Sequence, residues 1–440
     1  MSSHSIALKP VALKLGAPVL AFLIALGVLA LANRSSSPPA AGDAAAAFDI
    51  RGGEDTAGRI ADLQRALAAS PDNAELNTEI GDAYYQRSRE TGDPSYYARA
   101  DRAYSAALAL APDDPDALTG AATIALARHD FHGGLALAQR AHRAAPGLLR
   151  PYPAIVDGQI ELGRYAAAAH SLQRFVSLKP SLAAYARVSY FRELHGDLDG
   201  AVQAMRLAVA GGGGGEALAY VQTLLGRLEL DRGRIGAAEL DFRRALADAP
   251  DYPAGLAGLA RVNAAQGRLG SAIARYRDVV ERLPLPEYAI ALGETELAAG
   301  RHAAAQRDLA LVEVERRLYE SAGVDVGVEL ALYEADHGDS QRAVELARRS
   351  WHKAPSVRAA DAYSWALHSA GRDAAAARMS AEAMRLGSRD PSFLYHAGTI
   401  AAAAGETAKA RELLGTLVAQ SPRFSPLYGP RARRTLEELR

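Results

Sequence analysis

Cysteine is absent from the chain, which excludes disulfides, thiolate metal sites, cysteine nucleophiles and a lipidated N-terminal cysteine. Aromatic residues make up only 6%, and β-branched residues are also sparse, so strands are disfavoured. Neither sign of charge dominates: 50 basic residues face 51 acidic ones, for a net charge of −1. A nucleic-acid binder needs a basic excess to neutralise phosphates, so that class is excluded. Lysine is nearly missing, since only five of the 50 basic residues are Lys and the rest are Arg. What is abundant is alanine, with Leu, Arg and Glu. These are strong helix formers, and the mixture predicts closely packed helices.

Charge is also missing from residues 15–32, LGAPVLAFLIALGVLALA. Eighteen residues of helix extend about 27 Å, enough to cross a bilayer core. Lys9 and Lys14 precede the segment and no acid occurs before Asp43, so the positive-inside bias puts residues 1–14 in the cytoplasm. Residues 15–33 then form a single-pass anchor and the bulk of the chain lies outside the cytoplasm. In the alternative, Ala30-Leu31-Ala32 is a signal-peptidase site and the protein is secreted after cleavage near Ala32. A third possibility, a cytoplasmic adaptor with its N-terminus merely inserted, predicts the opposite sidedness. Residues 34–55 are rich in Ser, Pro, Gly and Ala and read as a flexible linker.

The remainder is repetitive. Gly163, Gly196, Gly233, Gly267, Gly300, Gly338, Gly371 and Gly405 each follow a helical pattern, and alanine stands five residues after every one. Given the alanine content, eight matches in eight arise by chance with a frequency on the order of 10⁻⁵ to 10⁻⁶. Spacings of 33 to 38 residues mark a solenoid of helical hairpins. Each glycine would end a first helix in a left-handed cap. Each alanine would sit where the second helix crosses the first, and the proline closing many units would end the second helix.

This Gly–Ala–Pro pattern, with a further small residue seven positions before most of the glycines, resembles the tetratricopeptide repeat family. YARVSYFRELHGDLDGA and FSPLYGPRARR also resemble a group of bacterial repeat proteins of membrane-anchored or secreted type. The resemblance implies an all-α, right-handed superhelical solenoid of about ten hairpins over residues 56–423, followed by a capping helix at 424–440. Units begin near Ala74, Pro115, Leu149, Leu182, Ala219, Pro253, Pro286, Val324, Val357 and Pro391.

It also implies a groove for a protein or peptide along the concave face. Carried onto this chain, the groove positions include Asp157, Tyr190, Glu193, Tyr220, Arg227, Arg261, Glu294, Asp361, Trp365, His368 and Tyr395. Arg227 and Arg261 could clamp a carboxylate bidentately, with Tyr190 and Tyr220 packing on its apolar neighbours. The alternative pairs each Arg with a nearby acid such as Glu193. Asp361, Trp365 and His368 share one helix face, and with Tyr395 they resemble a binding hot spot. The competing reading buries Trp365 as core. Small and apolar residues elsewhere on this face suit an amphipathic helix or an extended peptide.

No catalytic motif, phosphate loop or zinc-protease signature occurs. His129-Asp130-Phe131-His132 supplies two histidines around an acid, which do not complete a zinc site, and His195-Gly-Asp197 and His337-Gly-Asp339 occupy the same turn in other units. A turn-forming role is therefore expected there. The sequence predicts a non-catalytic scaffold of the cell envelope, with no cofactor, metal or small-molecule substrate. Its alternatives are an assembly factor within an envelope or export complex and an enzyme built on the solenoid.

Overall fold

The computed structural model describes residues 56–440. The expected anchor and linker lie outside the described residues. Among the described residues, no helix is long and apolar enough to cross a membrane.

The described chain is all-helical. A lone helix α1 (Thr56–Ala69) precedes ten units, which run α2 (Ala74–Thr91) and α3 (Ser95–Leu110), α4 (Pro115–Ala127) and α5 (Phe131–Ala144), α6 (Tyr152–Glu161) and α7 (Tyr165–Leu178). Next come α8 (Leu182–Leu194) and α9 (Leu198–Ala210), α10 (Gly215–Asp231) and α11 (Ile235–Asp248), α12 (Pro253–Ala265) and α13 (Leu269–Arg282). In the seventh unit α14 (Pro286–Ala298) is followed by a second helix broken at Ala310 into α15 (His302–Leu309) and α16 (Leu311–Ser321). The array ends with α17 (Gly327–His337) and α18 (Ser340–Lys353), α19 (Val357–Ser369) and α20 (Asp373–Ala383), α21 (Pro391–Ala403) and α22 (Thr407–Gln420), then α23 (Tyr428–Glu438).

The repeat residues act as their chemistry requires. All eight register alanines, from Ala168 to Ala410, are 0% exposed, so a larger side chain at any of them would wedge a hairpin open. Seven of the eight hinge glycines have φ between +68° and +79°. Gly338 is the exception, with φ −130°: α17 ends without a left-handed residue, and Glu334 reaches across the turn to accept from the Asp339 N–H at 2.9 Å. The second unit has His129 at the hinge, with φ +60°. Its Nδ1 contacts the Asp325 carbonyl and its ring stacks on Phe131. Asp130, Asp197 and Asp339 cap the following helices, accepting backbone N–H groups of Gly133, Gly200 and Gln341. The histidine–aspartate turns therefore build turns.

Hairpin tips meet distant loops at a nearly constant separation. The tip at Arg128–His129 contacts Gly323 and Asp325, Tyr165 Oη accepts the Val357 N–H at 2.8 Å, and the carbonyls of Leu230 and Asp231 accept from Ser421 and Gln420. These pairs lie 189 to 196 residues apart, between five and six units. The solenoid thus turns once in under six units, and each tip rests on the loop that opens a unit one turn later. With helices of about 13 residues, successive turns are separated by only about 20 Å, and the inner face is enclosed.

Candidate functional site

Enclosure decides the fate of the predicted groove residues. Asp157 is 5% exposed and accepts two bonds from Arg187, at 2.9 and 2.7 Å. Burial pushes its carboxyl up, against the pull of Arg187. Tyr190 is buried and donates to Glu161 at 3.3 Å, and Tyr220 is buried with no hydrogen-bond partner for its hydroxyl. Arg227 donates to Glu193 at 2.9 and 2.7 Å and to Asp231 at 3.1 Å. Arg261 is partly exposed and lies 3.6 Å from Asp231. The open clamp expected of Arg227 and Arg261 is therefore corrected: Arg227 is neutralised from within, and the two tyrosines meant to flank the ligand are core. The physical reason is the tight winding, which takes the inner face out of water and leaves each buried charge needing an internal partner.

The last units are more open. A cavity of about 690 Å³ lies on the inner face between the fifth unit and the C-terminal helix. Of the predicted residues, Arg227, Arg261, Glu294, Asp361 and Tyr395 line it, whereas Asp157, Tyr190, Glu193, Tyr220, Trp365 and His368 do not. Trp365 is 7% exposed, stacks on His396 at 4.3 Å and donates its indole N–H to Asp336 at 3.0 Å. It is a wall behind the cavity, not its surface. His368 points to Asp373, 2.6 Å away.

Sequence reasoning missed Glu287, Asp336, His396, Phe424 and Tyr428, all of which line the cavity. Glu287 stands at the second position of its unit, a groove position in the repeat register, and was the one of these most open to discovery. No register yields Tyr428, because α23 is not a repeat helix. Its hydroxyl nonetheless donates to Glu294 at 3.2 Å, so the terminal helix builds part of the site as well as covering the end of the array.

The electrostatics follow from burial. Glu287 is pushed up to about 7 by burial, with Glu329 adding repulsion. Burial also raises Asp336, helped by Glu294. Burial opposes charge on His337 and His396, but Glu294 beside the first and Asp361 beside the second reverse this, and both imidazoles shift upward. Ligand atoms of Glu294, Asp336 and His337 lie within 4.8 Å of one another and are the group among the described residues that could hold a divalent ion, one ligand short of a closed tetrahedral site.

Two tetratricopeptide repeat models match the sequence, one over residues 229–294 and the other over 60–105 and 154–216. Within those residues the chain matches tetratricopeptide repeats. Such repeats form scaffolds that bind other proteins and are typically non-catalytic. Solved structures with a similar course include a thermophilic tetratricopeptide repeat protein of Thermus thermophilus, 20% identical over 40% of this chain and 92% of that one, with a TM-score of 0.37. A tetratricopeptide repeat protein of Parabacteroides merdae is 15% identical over 59% and 98%, with a TM-score of 0.33. PilW, a type IV pilus biogenesis factor, is 20% identical over 46% and 92%, with a TM-score of 0.38. Likenesses of this degree carry nothing about partners. Comparison with curated proteins gives no match.

Proposed function

We propose that this protein is a non-catalytic scaffold of the cell envelope that receives an extended segment of a partner protein in its inner cavity. The observation that carries the reading is the cavity itself. Its volume of about 690 Å³ falls in the range of about 300–1,000 Å³ usual for ligand sites. An extended segment offers main-chain donors and acceptors to the polar lining as well as side chains to an apolar floor. Ile290, Val328 and Leu332 supply apolar floor, and the surrounding carboxylates and guanidinium groups supply polar contacts. The uncharged stretch at 15–32 and the lysines before it support membrane anchoring with the repeats outside the cytoplasm.

A photo-reactive residue at Leu332, inside the cavity, and another at exposed Leu240 test the binding reading in native membranes. A partner cross-linked from Leu332 and not from Leu240 supports it. Cross-links from Leu240 alone move binding to the outer face, and none from either position sinks the scaffold reading. For placement, a C-terminal phosphatase active only outside the cytoplasm is expected to be active when fused to the full chain. An inactive but stable fusion would make the repeats cytoplasmic.

A further inference from the structure

Seven large apolar side chains are exposed among the described residues, and three of them, Leu311, Val314 and Leu318, lie on α16. The other four, Leu110, Leu178, Leu207 and Leu240, fall singly on four different helices, which is ordinary for a protein surface. At about 100° per residue, the three on α16 share one flank within about 60°. Val312, Glu315 and Tyr319, next to them around the helix, are buried. Glu313, Arg316, Arg317 and Glu320 occupy the opposite side. The apolar arc is therefore wider than the part the fold covers, and its uncovered flank is a continuous strip.

The broken helix puts this flank in an unusual place. Second helices elsewhere in the array pack on the first helix of the next unit, whereas α16 packs on α14 and, across a superhelical turn, on α3 of the first unit. The Tyr333 hydroxyl of α17 donates to the Leu309 carbonyl at the break, at 3.1 Å. Tyr319 joins Tyr97 and Ala100 of α3 in one apolar cluster. So α16 lies beside the unit that the preceding chain enters. Thr56 donates to Glu90 at 2.6 Å, near the end of α2 and shortly before α3 begins.

Size and charge select what covers the flank. Three side chains between 39% and 56% exposed amount to roughly 250 Å² of apolar surface, against about 800 Å² a side in a stable protein pair. A second copy or a free partner gains too little there. The charged side of α16 is paired already: Arg316 meets Glu313 and Glu320, and Glu313 also meets Arg317 at 3.3 Å and Arg342 at 3.9 Å. With two arginines and two glutamates it has no net charge to recruit a charged partner or an anionic headgroup. A surface to which the chain is tethered needs far less area, because tethering raises the effective concentration. The linker at residues 34–55 spans about 26 Å as a coil, which keeps the first unit and α16 within reach of the bilayer.

We infer that the exposed flank of α16 inserts among the lipids of the membrane that residues 15–33 anchor. It lies in the interface plane and binds by apolar contact, not by charge. This rests on the membrane-anchoring reading above.

The chain has no cysteine, so Ile24→Cys, Val314→Cys and Leu240→Cys can each carry one environment-sensitive fluorophore. Each full-length variant is reconstituted in phosphatidylcholine vesicles containing nitroxide-labelled lipid. The labels at 24 and 314 are expected to be quenched, the latter at least about threefold more strongly than the label at 240. Salt at about 0.5 M is expected to leave this unchanged. Adding Leu311→Ser and Leu318→Ser, both at exposed positions, is expected to remove quenching at 314 and keep it at 24. Quenching at 24 with none at 314 overturns the α16 assignment and leaves the anchor standing. Equal quenching at 314 and 240, or loss of the 314 signal in salt, overturns it as well. A blue shift at 314 without lipid quenching means that protein (a second copy, a partner or residues 34–55) covers the flank, and also overturns it. No quenching at 24 overturns the anchoring reading itself, and this inference with it.

Discussion

Gly163 and Gly371 share a φ near +69° but have different surroundings: a Cβ on Gly163 would sit 2.5 Å from the Pro355 carbonyl oxygen, whereas one on Gly371 meets nothing within 4 Å. Gly371→Ala therefore involves only the left-handed backbone, about 1 kcal/mol. Gly163→Ala adds a collision between superhelical turns and is expected to cost about 2–4 kcal/mol. Thermal denaturation of the two variants side by side checks the difference. Charge behaves in the same position-dependent way. Arg187→Ala strands Asp157 in the interior and is expected to cost about 3–5 kcal/mol. Arg261→Ala, on a partly exposed side chain 3.6 Å from its acid, is expected to cost under about 1 kcal/mol. Both arginines lie on first helices of their units, and only the fold shows that Arg187 is the buried one.

At the scale of the helix, the seventh unit departs from its neighbours. Its second helix breaks at Ala310 and continues as α16, which accounts for the 38-residue spacing from Gly300 to Gly338. α16 carries Glu315, 5% exposed, with neither oxygen hydrogen-bonded. Burial, with Glu287 adding repulsion, pushes it up to about 8 from 4.5. A carboxyl that holds its proton more tightly when folded favours the folded state at low pH. That contribution is complete below 4.5 and is lost as pH rises through 8. Glu315→Gln has no proton to lose, and is expected to flatten the fall in stability between about pH 5 and 9 by on the order of 2 kcal/mol. Urea denaturation across that range checks it, and parallel slopes for the two proteins would contradict the buried-carboxyl account. An interior glutamate on a helix that exposes Leu311, Val314 and Leu318 inverts the usual amphipathic pattern.

Across the whole molecule, a repeat array without returns couples only neighbours. Here the tip of one unit rests on a loop 189 or more residues away. Tyr165→Phe removes the acceptor of the Val357 N–H, a buried backbone donor worth about 1–3 kcal/mol when unpaired. Hydrogen exchange at Val357 is expected to quicken tenfold or more, although the substitution lies 192 residues earlier. An unchanged rate at Val357 would mean that the turns do not support one another.

The sequence by itself determined the helix class, the hinge positions, the unit boundaries within a few residues and the capping aspartates, because each depends on contacts inside one hairpin. Ala168, Ala201 and their counterparts are legible since every hairpin crosses at the same point. Only the tertiary structure decided which inner-face residues see a cavity. That depends on how tightly the units wind, a small rotation per hairpin summed over five or six of them, and no local residue pattern encodes such a sum. Arg227 was thus legible as an inner-face arginine, and only the fold decided between the open clamp and the pairing with Glu193. Tyr428 was legible only as part of a terminal helix, until the fold carried it beside Glu294, 134 residues away.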